Sequence, residues 1–350
     1  MNETEELRTK LKQAASDYIN HHAILITGVN GFIGHNLAKR LIRLGHRVYG
    51  VDFSLKKKDV FMMRHNELMN TQGTYTFIPV SEFSPRHALD FQLDIMVHLA
   101  ARTGVREAQT EKADYIKKNV TDLVDYMDFA VKANIPVIYA SSSSVYGSSD
   151  GTSATKESAP FQPLNLYGAT KMFAEGYIGG LVRSGHLINA VGLRFFTVFG
   201  PWGRPDMAVW KWTEELLRGE KSLVNAGSRS YTPVIQVVSC IHMLIEHLCN
   251  LNINDTGIHS VFNISSFGTA DNMKVYETLA QFLGLANAVN ISLGSVSSIE
   301  ASTTAGDMQE FGRIHGTDFL QLPLRTALMQ WCDWYLEHRS LISEYVRPSR

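Results

Sequence analysis

The sequence predicts an α/β fold in which a doubly wound parallel sheet is followed by a smaller α/β part. Over residues 23–196, short apolar runs alternate with longer segments of helical period, and such alternation produces parallel strands joined by helices. Beyond Thr197, glycine or proline interrupts the pattern four times between residues 200 and 205. A second unit is therefore expected over the carboxyl ends of the strands, where sheets of this kind bind ligands.

The individual elements follow from local patterns. Apolar runs bounded by turn residues predict strands over residues 23–27, 47–52, 77–80, 95–99, 137–140, 187–193 and 261–264. Apolar residues at helical intervals predict helices over residues 3–19, 33–44, 114–133, 167–183 and 324–337. We divide the chain into a helical extension (1–22), a sheet domain (23–196) and a mainly separate C-terminal domain (197–350), from which some segments return to the sheet.

Composition argues against several classes of protein. The formal net charge is −1 with both signs interspersed, so neither a nucleic-acid partner nor a membrane-binding face is expected. No apolar run approaches the roughly 20 residues that span a bilayer, and the first residues lack the apolar core of a signal peptide. These features predict a cytoplasmic protein. The three cysteines and 13 histidines show no metal-ligand spacing, so no metal site is expected.

A glycine motif, Gly28-x-x-Gly31-x-x-Gly34, follows the first predicted strand and opens the first helix of the sheet domain. In a Rossmann sheet such a turn holds the pyrophosphate of a dinucleotide, and an acidic residue about 20 positions further on binds the adenosine ribose. Asp52 fits that position and favours NAD, because a carboxylate repels a 2′-phosphate. The lysines at 56–58 leave a phosphate-bearing cofactor open, although a solvated loop is the interpretation that we favour for them.

Ser142, Tyr167 and Lys171 are candidate catalytic residues. Ser142 follows a predicted strand, and Tyr167 and Lys171 lie one helical turn apart. An ammonium so placed is expected to lower the phenol pKa from about 10 toward working pH, which would make Tyr167 a base for a hydroxyl proton. With a nicotinamide to accept hydride, the group predicts alcohol oxidation by NAD. The alternative is that Tyr167 and Lys171 are ordinary helix residues.

Four stretches carry a family resemblance: residues 28–34 (GVNGFIG), 98–101 (HLAA), 141–147 (SSSSVYG) and 167–171 (YGATK). They resemble the extended short-chain dehydrogenase/reductase family, specifically its nucleotide-sugar epimerases and dehydratases. The resemblance extends over about residues 23–338. A further stretch, residues 193–207 (LRFFTVFGPWGRPDM), is similar to the signature of the UDP-glucuronate 4-epimerases within that family.

The resemblance implies a role for each matching position. Tyr167 would be the base, Lys171 its electrostatic partner and a ligand of the nicotinamide ribose, and Ser142 the helper at the sugar O4. The positions implied for the cofactor NAD are Gly28, Asn30, Gly31, Phe32, Ile33, Gly34, Asp52, Leu99, Ala100 and Ala101, together with Tyr167 and Lys171. Those implied for a UDP-sugar substrate are Arg106, Ser142, Ser143, Ser144, Thr197, Arg204, Arg229 and Asp307.

Within the family, the neighbours of Ser142 separate the reactions. The sugar dehydratases carry an aspartate and a glutamate where this chain has Ser143 and Ser144, so dehydration is not expected. Arg204 is the natural partner for a sugar C6 carboxylate; the alternative is that it only pairs with Asp206 on a surface loop. The family's two aspartates after the diphosphate arginine are replaced here by Ile235 and Gln236.

The expected activity is therefore NAD-dependent inversion at C4 of a UDP-sugar through a 4-keto intermediate, with UDP-glucuronate as the first choice of substrate. Epimerisation of UDP-glucose or UDP-N-acetylglucosamine is the alternative, and a catalytically silent NAD(H)-binding regulator is the alternative from another class. The resemblance also implies a homodimer formed by the helices at 114–133 and 167–183, although packing within one subunit explains their apolar faces equally well.

Overall fold

The protein is described from a computed structural model. The residues described are 21–53, 60–84, 90–148, 153–252, 254–266, 268–295, 298–299, 301–316 and 322–345. The helix predicted over residues 3–19 and the lysines at 56–58 lie outside these ranges.

The strands confirm the predicted fold class. In chain order they are β1 (Ala23–Thr27), β2 (Arg47–Asp52), β3 (Tyr75–Pro79), β4 (Ile95–His98), β5 (Val137–Ser142), β6 (Asn189–Phe195), β7 (Thr197–Phe199), β8 (Ser222–Asn225), β9 (Ser228–Arg229), β10 (Tyr231–Pro233), β11 (Ile258–Ile264), β12 (Ala270–Asp271), β13 (Ile291–Gly294) and β14 (Thr303–Thr304). Seven of them form a parallel sheet in the order β11-β6-β5-β4-β1-β2-β3. The order reverses between β1 and β4, which is where doubly wound sheets bind their ligands.

Helices join these strands and extend the C-terminal part. The α-helices are Phe32–Arg43, Val60–Met69, Glu107–Thr110, Lys112–Ile116, Asp122–Ala133, Leu166–Arg183, Ala208–Arg218, Val234–Cys249, Asn272–Phe282, Gln309–His315 and Leu324–Tyr345. Among the residues that the structure describes, none of the helices combines the length and apolar character needed to cross a membrane.

The helix predicted over residues 114–133 contains an irregular turn. A π-helical turn, Lys117–Thr121, separates the Lys112–Ile116 and Asp122–Ala133 helices. It carries Asn119, whose amide oxygen accepts the Arg102 N–H at 2.7 Å and whose amide nitrogen donates to the Thr170 hydroxyl at 3.1 Å. Turns of this kind often lie near functional sites, and this one ties the loop after β4 to the Leu166–Arg183 helix.

Separate apolar cores form the two parts of the molecule. One core on each face of the large sheet packs the helices against it. A third core lies in the C-terminal part around the fully buried Trp210 and Trp331. Val60 and Met63, from the Val60–Met69 helix, also belong to this third core. The smaller part therefore packs partly on an element of the sheet domain, whereas the domain boundaries themselves remain predictions.

A buried ion pair joins the Leu166–Arg183 helix to β6. Glu175 and Arg194 are both about 5 % exposed, and the guanidinium donates two hydrogen bonds to the carboxylate, at 2.9 and 2.7 Å. Arg194 also donates to the Tyr146 hydroxyl at 2.6 Å, and the Ser141 hydroxyl donates to Glu175. Each guanidinium nitrogen and each carboxylate oxygen of the pair thus has a hydrogen-bond partner. These hydrogen bonds offset the free-energy cost of burying the two charges.

We predict that Glu175→Gln destabilises the protein by about 3–5 kcal/mol, because the Arg194 charge is then left buried without its counter-charge. Urea unfolding monitored by circular dichroism measures the change. Glu310→Gln is the control, since its pair with Arg313 is exposed at the surface and its loss should produce no measurable change. Equal stability of the two variants would contradict this account of the buried pair.

Candidate active site

The carboxyl ends of the central strands bring the first site residues together. Thr27 ends β1 and His98 ends β4, and the Thr27 hydroxyl hydrogen-bonds the His98 Nδ1 at 2.8 Å. The Ala100 N–H donates to the same hydroxyl at 3.3 Å. Ser142 ends the next strand, β5. Side-chain hydrogen bonds therefore connect the strands at the point where their order reverses, in addition to the backbone hydrogen bonds of the sheet.

The glycine turn, residues 28–34, leaves no room for side chains at two of its glycines. Gly28 has φ +72°, and a Cβ there would lie 2.8 Å from the Ala100 nitrogen. A Cβ on Gly34 would lie 2.2 Å from the Gly28 carbonyl oxygen. Phe32, Ile33 and Gly34 form the first turn of the Phe32–Arg43 helix, while Leu99, Ala100 and Ala101 follow β4 beside the glycine turn. The turn therefore brings the helix N-terminus directly against the β4 loop.

This helix N-terminus has the properties of an anion site. The Phe32–Arg43 helix carries no acidic residue in its first turn, and its N-cap residue, Gly31, offers no side chain to cap the free N–H groups. Free N–H groups and the helix dipole both favour a phosphate in that position. The side-chain amide of Asn30, in the same turn, is buried, and neither its oxygen nor its nitrogen has a hydrogen-bond partner within the described part of the chain. These features fit a pyrophosphate-containing cofactor.

Asp52 lies beside the turn, where the sequence predicts a ribose ligand. Its carboxylate accepts the Asn30 N–H and the Phe53 N–H, each at 2.8 Å. Burial raises the pKa of Asp52, while these two hydrogen bonds and the charge of Arg64 lower it. A carboxylate so held is positioned to accept hydroxyl hydrogen bonds and to reject a phosphate.

The Leu166–Arg183 helix meets the serine turn, residues 142–145, through a glycine. Asn165 caps the helix, since its side-chain oxygen accepts the Gly168 N–H at 2.8 Å. A Cβ on Gly168 would lie 2.5 Å from the Ser144 carbonyl oxygen. This close approach places Tyr167 beside Ser142, which acts to lower the pKa of the phenol, while the Ser142 hydroxyl itself donates to Ser144 Oγ at 3.1 Å.

Lys171 is buried one turn further along the same helix. Its ammonium donates to the Ala140 carbonyl at 2.9 Å and lies 5.9 Å from the centre of the Tyr167 ring. Burial lowers the pKa of Lys171 to about 8, and the nearby Glu175 partly offsets that effect. Burial likewise lowers the pKa of His98 to about 3, with a further contribution from the Lys171 charge. His98 is therefore neutral, and Lys171 keeps most of its charge at pH 7.

The expected low pKa of Tyr167 does not follow from this geometry. Burial raises the pKa of the phenol, and the opposing contributions come from the Ser142 hydrogen bond and the Arg204 charge. Lys171 does not supply the predicted decrease, since its ammonium faces the Ala140 carbonyl and not the phenol oxygen. The spacing of Tyr167 and Lys171 does bring the two side chains close together, and Arg204 is the cation that acts to lower the pKa of the phenol.

Arg204 pairs with Asp206 and also acts on Tyr167. Its Nε donates to Asp206 Oδ1 at 3.0 Å, and its two terminal nitrogens donate to Asp206 and to the Thr103 hydroxyl. The pairing with Asp206 is thus present. Its charge nevertheless acts on Tyr167, whose pKa it lowers, so Arg204 belongs to the same electrostatic site.

The other predicted substrate residues lie around this group. Ser143 and Ser144 form a 3-10 turn in which the Ser144 N–H donates to Ser142 Oγ at 3.1 Å. Arg106 is exposed at the start of the Glu107–Thr110 helix. Thr197 begins β7, Arg229 lies in β9 between β12 and β14, and Asp307 accepts the Gln309 N–H at 2.8 Å. The roles of these residues remain predictions.

Arg64 is a structural contributor that the sequence did not reveal. It is fully buried, donates to the Asn30 carbonyl at 3.1 Å, and donates to the carbonyls of Trp202 and Gly203 at 2.7 and 2.6 Å. No local motif marks it, because its partners are more than 30 residues away in either direction. The cap residue Asn165 was also missed, although an asparagine just before a helical pattern is a signal that could have predicted it.

Comparison with known proteins gives a family match over most of the sheet. The family described as "NAD dependent epimerase/dehydratase family" matches residues 24–264. The chain is 31 % identical to "Protein CapI" of Staphylococcus aureus, covering 90 % of this chain and 98 % of that protein. It is 28 % identical to "UDP-glucuronate 4-epimerase 2" of Arabidopsis thaliana, covering 91 % of this chain and 76 % of that protein.

Solved structures share the fold. MoeE5, determined in complex with UDP-glucuronic acid and NAD, is 28 % identical with a TM-score of 0.76, covering 91 % of this chain and 99 % of that one. The UDP-glucuronic acid 4-epimerase of Bacillus cereus was determined in complex with UDP-glucuronic acid and NAD. It is 23 % identical to this chain with a TM-score of 0.79, and the match covers 90 % of this chain and 99 % of that one. At that identity the second likeness supports the fold alone.

We predict that Gly28→Ala lowers the affinity for NAD at least about ten-fold, because the new methyl group collides with the Ala100 backbone and opens the glycine turn. Isothermal titration with NAD measures the change. Gly219→Ala is a matched control: Gly219 has φ +68° but open space around it, so this variant has the same backbone strain of about 1–2 kcal/mol without a collision. Equal NAD affinities of the two variants would contradict the prediction.

Proposed function

The chain belongs to the NAD dependent epimerase/dehydratase family, and we propose that it acts in that family as a UDP-glucuronate 4-epimerase. It is an NAD-dependent nucleotide-sugar epimerase; the identity of the sugar is the part that we propose. The observation that carries the proposal is the close approach of the helix bearing Tyr167 and Lys171 to the turn that carries Ser142, beside a helix N-terminus prepared for a pyrophosphate.

The chemistry assigned to this chain is movement of the O4 proton. Tyr167, in its ionised form, takes the proton from the sugar O4, while Ser142 donates a hydrogen bond that keeps the oxygen in place. The charge of Arg204 stabilises the phenolate, since it lowers the pKa of Tyr167. After the flat 4-keto sugar has turned over, so that the opposite face of C4 is reduced, Tyr167 returns the proton to O4.

NAD, when bound, would supply a reversible hydride acceptor for C4, so that no net oxidation would remain. The glycine turn would hold its pyrophosphate, with Asn30 supplying an amide that is otherwise buried without a hydrogen bond. Asp52 would hold the adenosine ribose, and Lys171 the nicotinamide ribose. Leu99, Ala100 and Ala101 would line the space between the turn and β4.

Two features support a sugar acid as substrate. Arg204 supplies a cation next to Tyr167, where it could bind a C6 carboxylate by charge-assisted hydrogen bonds. The names of similar proteins also support a sugar acid as substrate, because a plant relative is called UDP-glucuronate 4-epimerase and MoeE5 was determined with UDP-glucuronic acid. MoeE5 was also determined with UDP-glucose, and this keeps the neutral-sugar epimerase as the second candidate.

A catalytically silent NAD(H)-binding protein is the rival from another class. It is motivated by the replacement of two family aspartates by Ile235, which is 48 % exposed, and Gln236, which is buried. Both residues lie in the first turn of the Val234–Cys249 helix. They lie outside the Ser142–Tyr167–Lys171 group, and we therefore favour an active enzyme.

We also propose a homodimer. Ile116 and Phe173, on the helical segments that the resemblance assigns to the dimer interface, are 47 % and 38 % exposed in the single chain. Phe173 stacks on Tyr177 of the same helix, with ring centres 5.7 Å apart. Light scattering tests this proposal by asking whether the particle in solution has twice the chain mass of 39.1 kDa.

We predict that Tyr167→Phe lowers kcat about 10²–10⁴-fold, because the base is removed, while NAD binding changes little. Conversion of UDP-glucuronate followed by NMR, together with titration of NAD, provides the measurement. Tyr177→Phe, further along the same helix, is the control and should retain full activity. An unchanged rate in Tyr167→Phe, or a complete lack of turnover of any UDP-sugar by the unmodified protein, would support the silent regulator instead.

We predict that Arg204→Gln lowers kcat/KM for UDP-glucuronate about 30-fold or more. The reason is that the sugar carboxylate loses its charged partner, which costs about 2 kcal/mol of binding free energy. For UDP-glucose the loss should be smaller. Removing the cation also raises the Tyr167 pKa, so the activity of the variant, which rises with pH as the phenol ionises, should rise at a higher pH than in the unmodified protein.

Steady-state kinetics with both sugars at several pH values measure these effects. Arg313→Gln, an exposed arginine paired with Glu310, is the control. A similar loss for both sugars would exclude Arg204 as the carboxylate ligand, and turnover of UDP-glucose but not UDP-glucuronate by the unmodified protein would establish the neutral-sugar epimerase.

A further inference from the structure

A cluster of imidazoles lies at the amino ends of β1 and β2, at the opposite edge of the sheet from Ser142 and Tyr167. His22 precedes β1 and His46 precedes β2, while His242 and Glu246 lie one turn apart on the Val234–Cys249 helix. His22 and His46 are stacked with ring centres 5.7 Å apart, and His46 meets His242 edge-on at 5.6 Å. We call these four residues the histidine cluster.

The cluster converges on the carboxylate of Glu246. Its oxygens lie 3.7 Å from His22 Nε2, 3.7 Å from His46 Nε2 and 3.6 Å from His242 Nε2. These distances are too long for hydrogen bonds. The three Nε2 atoms and one Glu246 oxygen are all buried and, among the residues that the structure describes, have no hydrogen-bond partner. Four polar atoms without partners in one buried place are unusual.

We propose that His46, His242 and Glu246 bind a divalent transition-metal ion of the zinc type, with His22 beside them as a further nitrogen donor. One ligand atom from each of the three residues lies within 4.8 Å of the other two. A tetrahedral zinc site with ligand bonds of about 2.0–2.2 Å brings its ligand atoms to about 3.3–3.5 Å from one another. The separations of Glu246 from His46 Nε2, 3.7 Å, and from His242 Nε2, 3.6 Å, lie within a few tenths of an ångström of that geometry.

The chemistry of the donors selects the class of metal. Imidazole nitrogen combined with carboxylate oxygen suits Zn²⁺, Co²⁺ or Ni²⁺ better than Mg²⁺ or Ca²⁺, which require several oxygen ligands. Asp94 lies 3.9 Å from His22 Nδ1, in the position from which an outer carboxylate orients a ligand histidine. The Arg40 charge acts on His242 and opposes a cation, whereas Asp94 and Glu246 together favour one.

One existing contact must change on binding. The His22 N–H donates to His46 Nδ1 at 3.2 Å, so the proton of the neutral His46 ring is on Nε2. A metal bound to Nε2 requires this proton to be on Nδ1, and the His22 N–H then loses its acceptor. The site is therefore expected to bind metal through a small displacement of the chain before β1.

The sequence predicted no metal site, and the reason is clear from the fold. His46 and His242 are almost 200 residues apart, so no spacing rule applies to them. The packing of the Val234–Cys249 helix against the Phe32–Arg43 helix and the sheet brings these side chains together.

The experiment uses the full chain without an affinity tag, treated with EDTA and titrated calorimetrically with ZnCl₂. We expect one equivalent of Zn²⁺ to bind and to raise the thermal midpoint. Glu246→Gln, which preserves size, should weaken binding at least about ten-fold and abolish the thermal shift; His242→Ala should do the same. Cobalt substitution gives a second readout, because a tetrahedral nitrogen–oxygen site colours the protein and the variants should remain colourless.

His247→Ala is the matched control, since His247 is exposed on the same helix, next to Glu246, and should leave Zn²⁺ affinity unchanged. Epimerase activity should persist after EDTA treatment, because the cluster lies at the other edge of the sheet. Absence of stoichiometric binding, or equal Zn²⁺ affinity in Glu246→Gln and the unmodified protein, would overturn the proposal. Neither result would affect the proposed epimerase activity.

Discussion

The candidate active site depends on one close approach between backbones. Gly168 lies against the Ser144 carbonyl, so near that a methyl group would stand 2.5 Å from its oxygen. Because Tyr167 and Ser142 are each fixed on rigid elements at this junction, their hydroxyls meet without any flexible loop between them. Precise placement on helices and strands is what proton transfer requires. The buried Glu175–Arg194 pair fastens the same helix to β6 from the other side.

The sequence analysis gave Lys171 two roles, lowering the phenol pKa and binding the nicotinamide ribose. The positions of the charges at this junction divide these roles between Arg204 and Lys171. Lys171 is buried against the Ala140 carbonyl, where a nicotinamide ribose is expected, whereas Arg204 is the cation that acts on the phenol. One arginine on a loop of the C-terminal part thus affects the basicity of Tyr167. The state of the phenol therefore depends on an element outside the sheet domain.

Local patterns predicted most of the sheet, because a buried parallel strand is a short apolar run and the glycine turn has a fixed place after β1. The strand at 23–27 and the helix beginning near Tyr167 were predicted almost to the residue. The sequence could not reveal long-range packing. Arg64, the π-helical turn at Lys117–Thr121 and the histidine cluster all depend on residues brought together from distant parts of the chain, and no spacing within one segment records such contacts.

Arg64 connects the two parts of the molecule by hydrogen bonds. Its guanidinium binds the Asn30 carbonyl in the glycine turn and the carbonyls of Trp202 and Gly203 in the loop that leads to Arg204. Trp202 has φ +62°, a left-handed conformation that this clamp helps to hold. A single buried guanidinium therefore fixes the spacing between the glycine turn and the loop that carries Arg204.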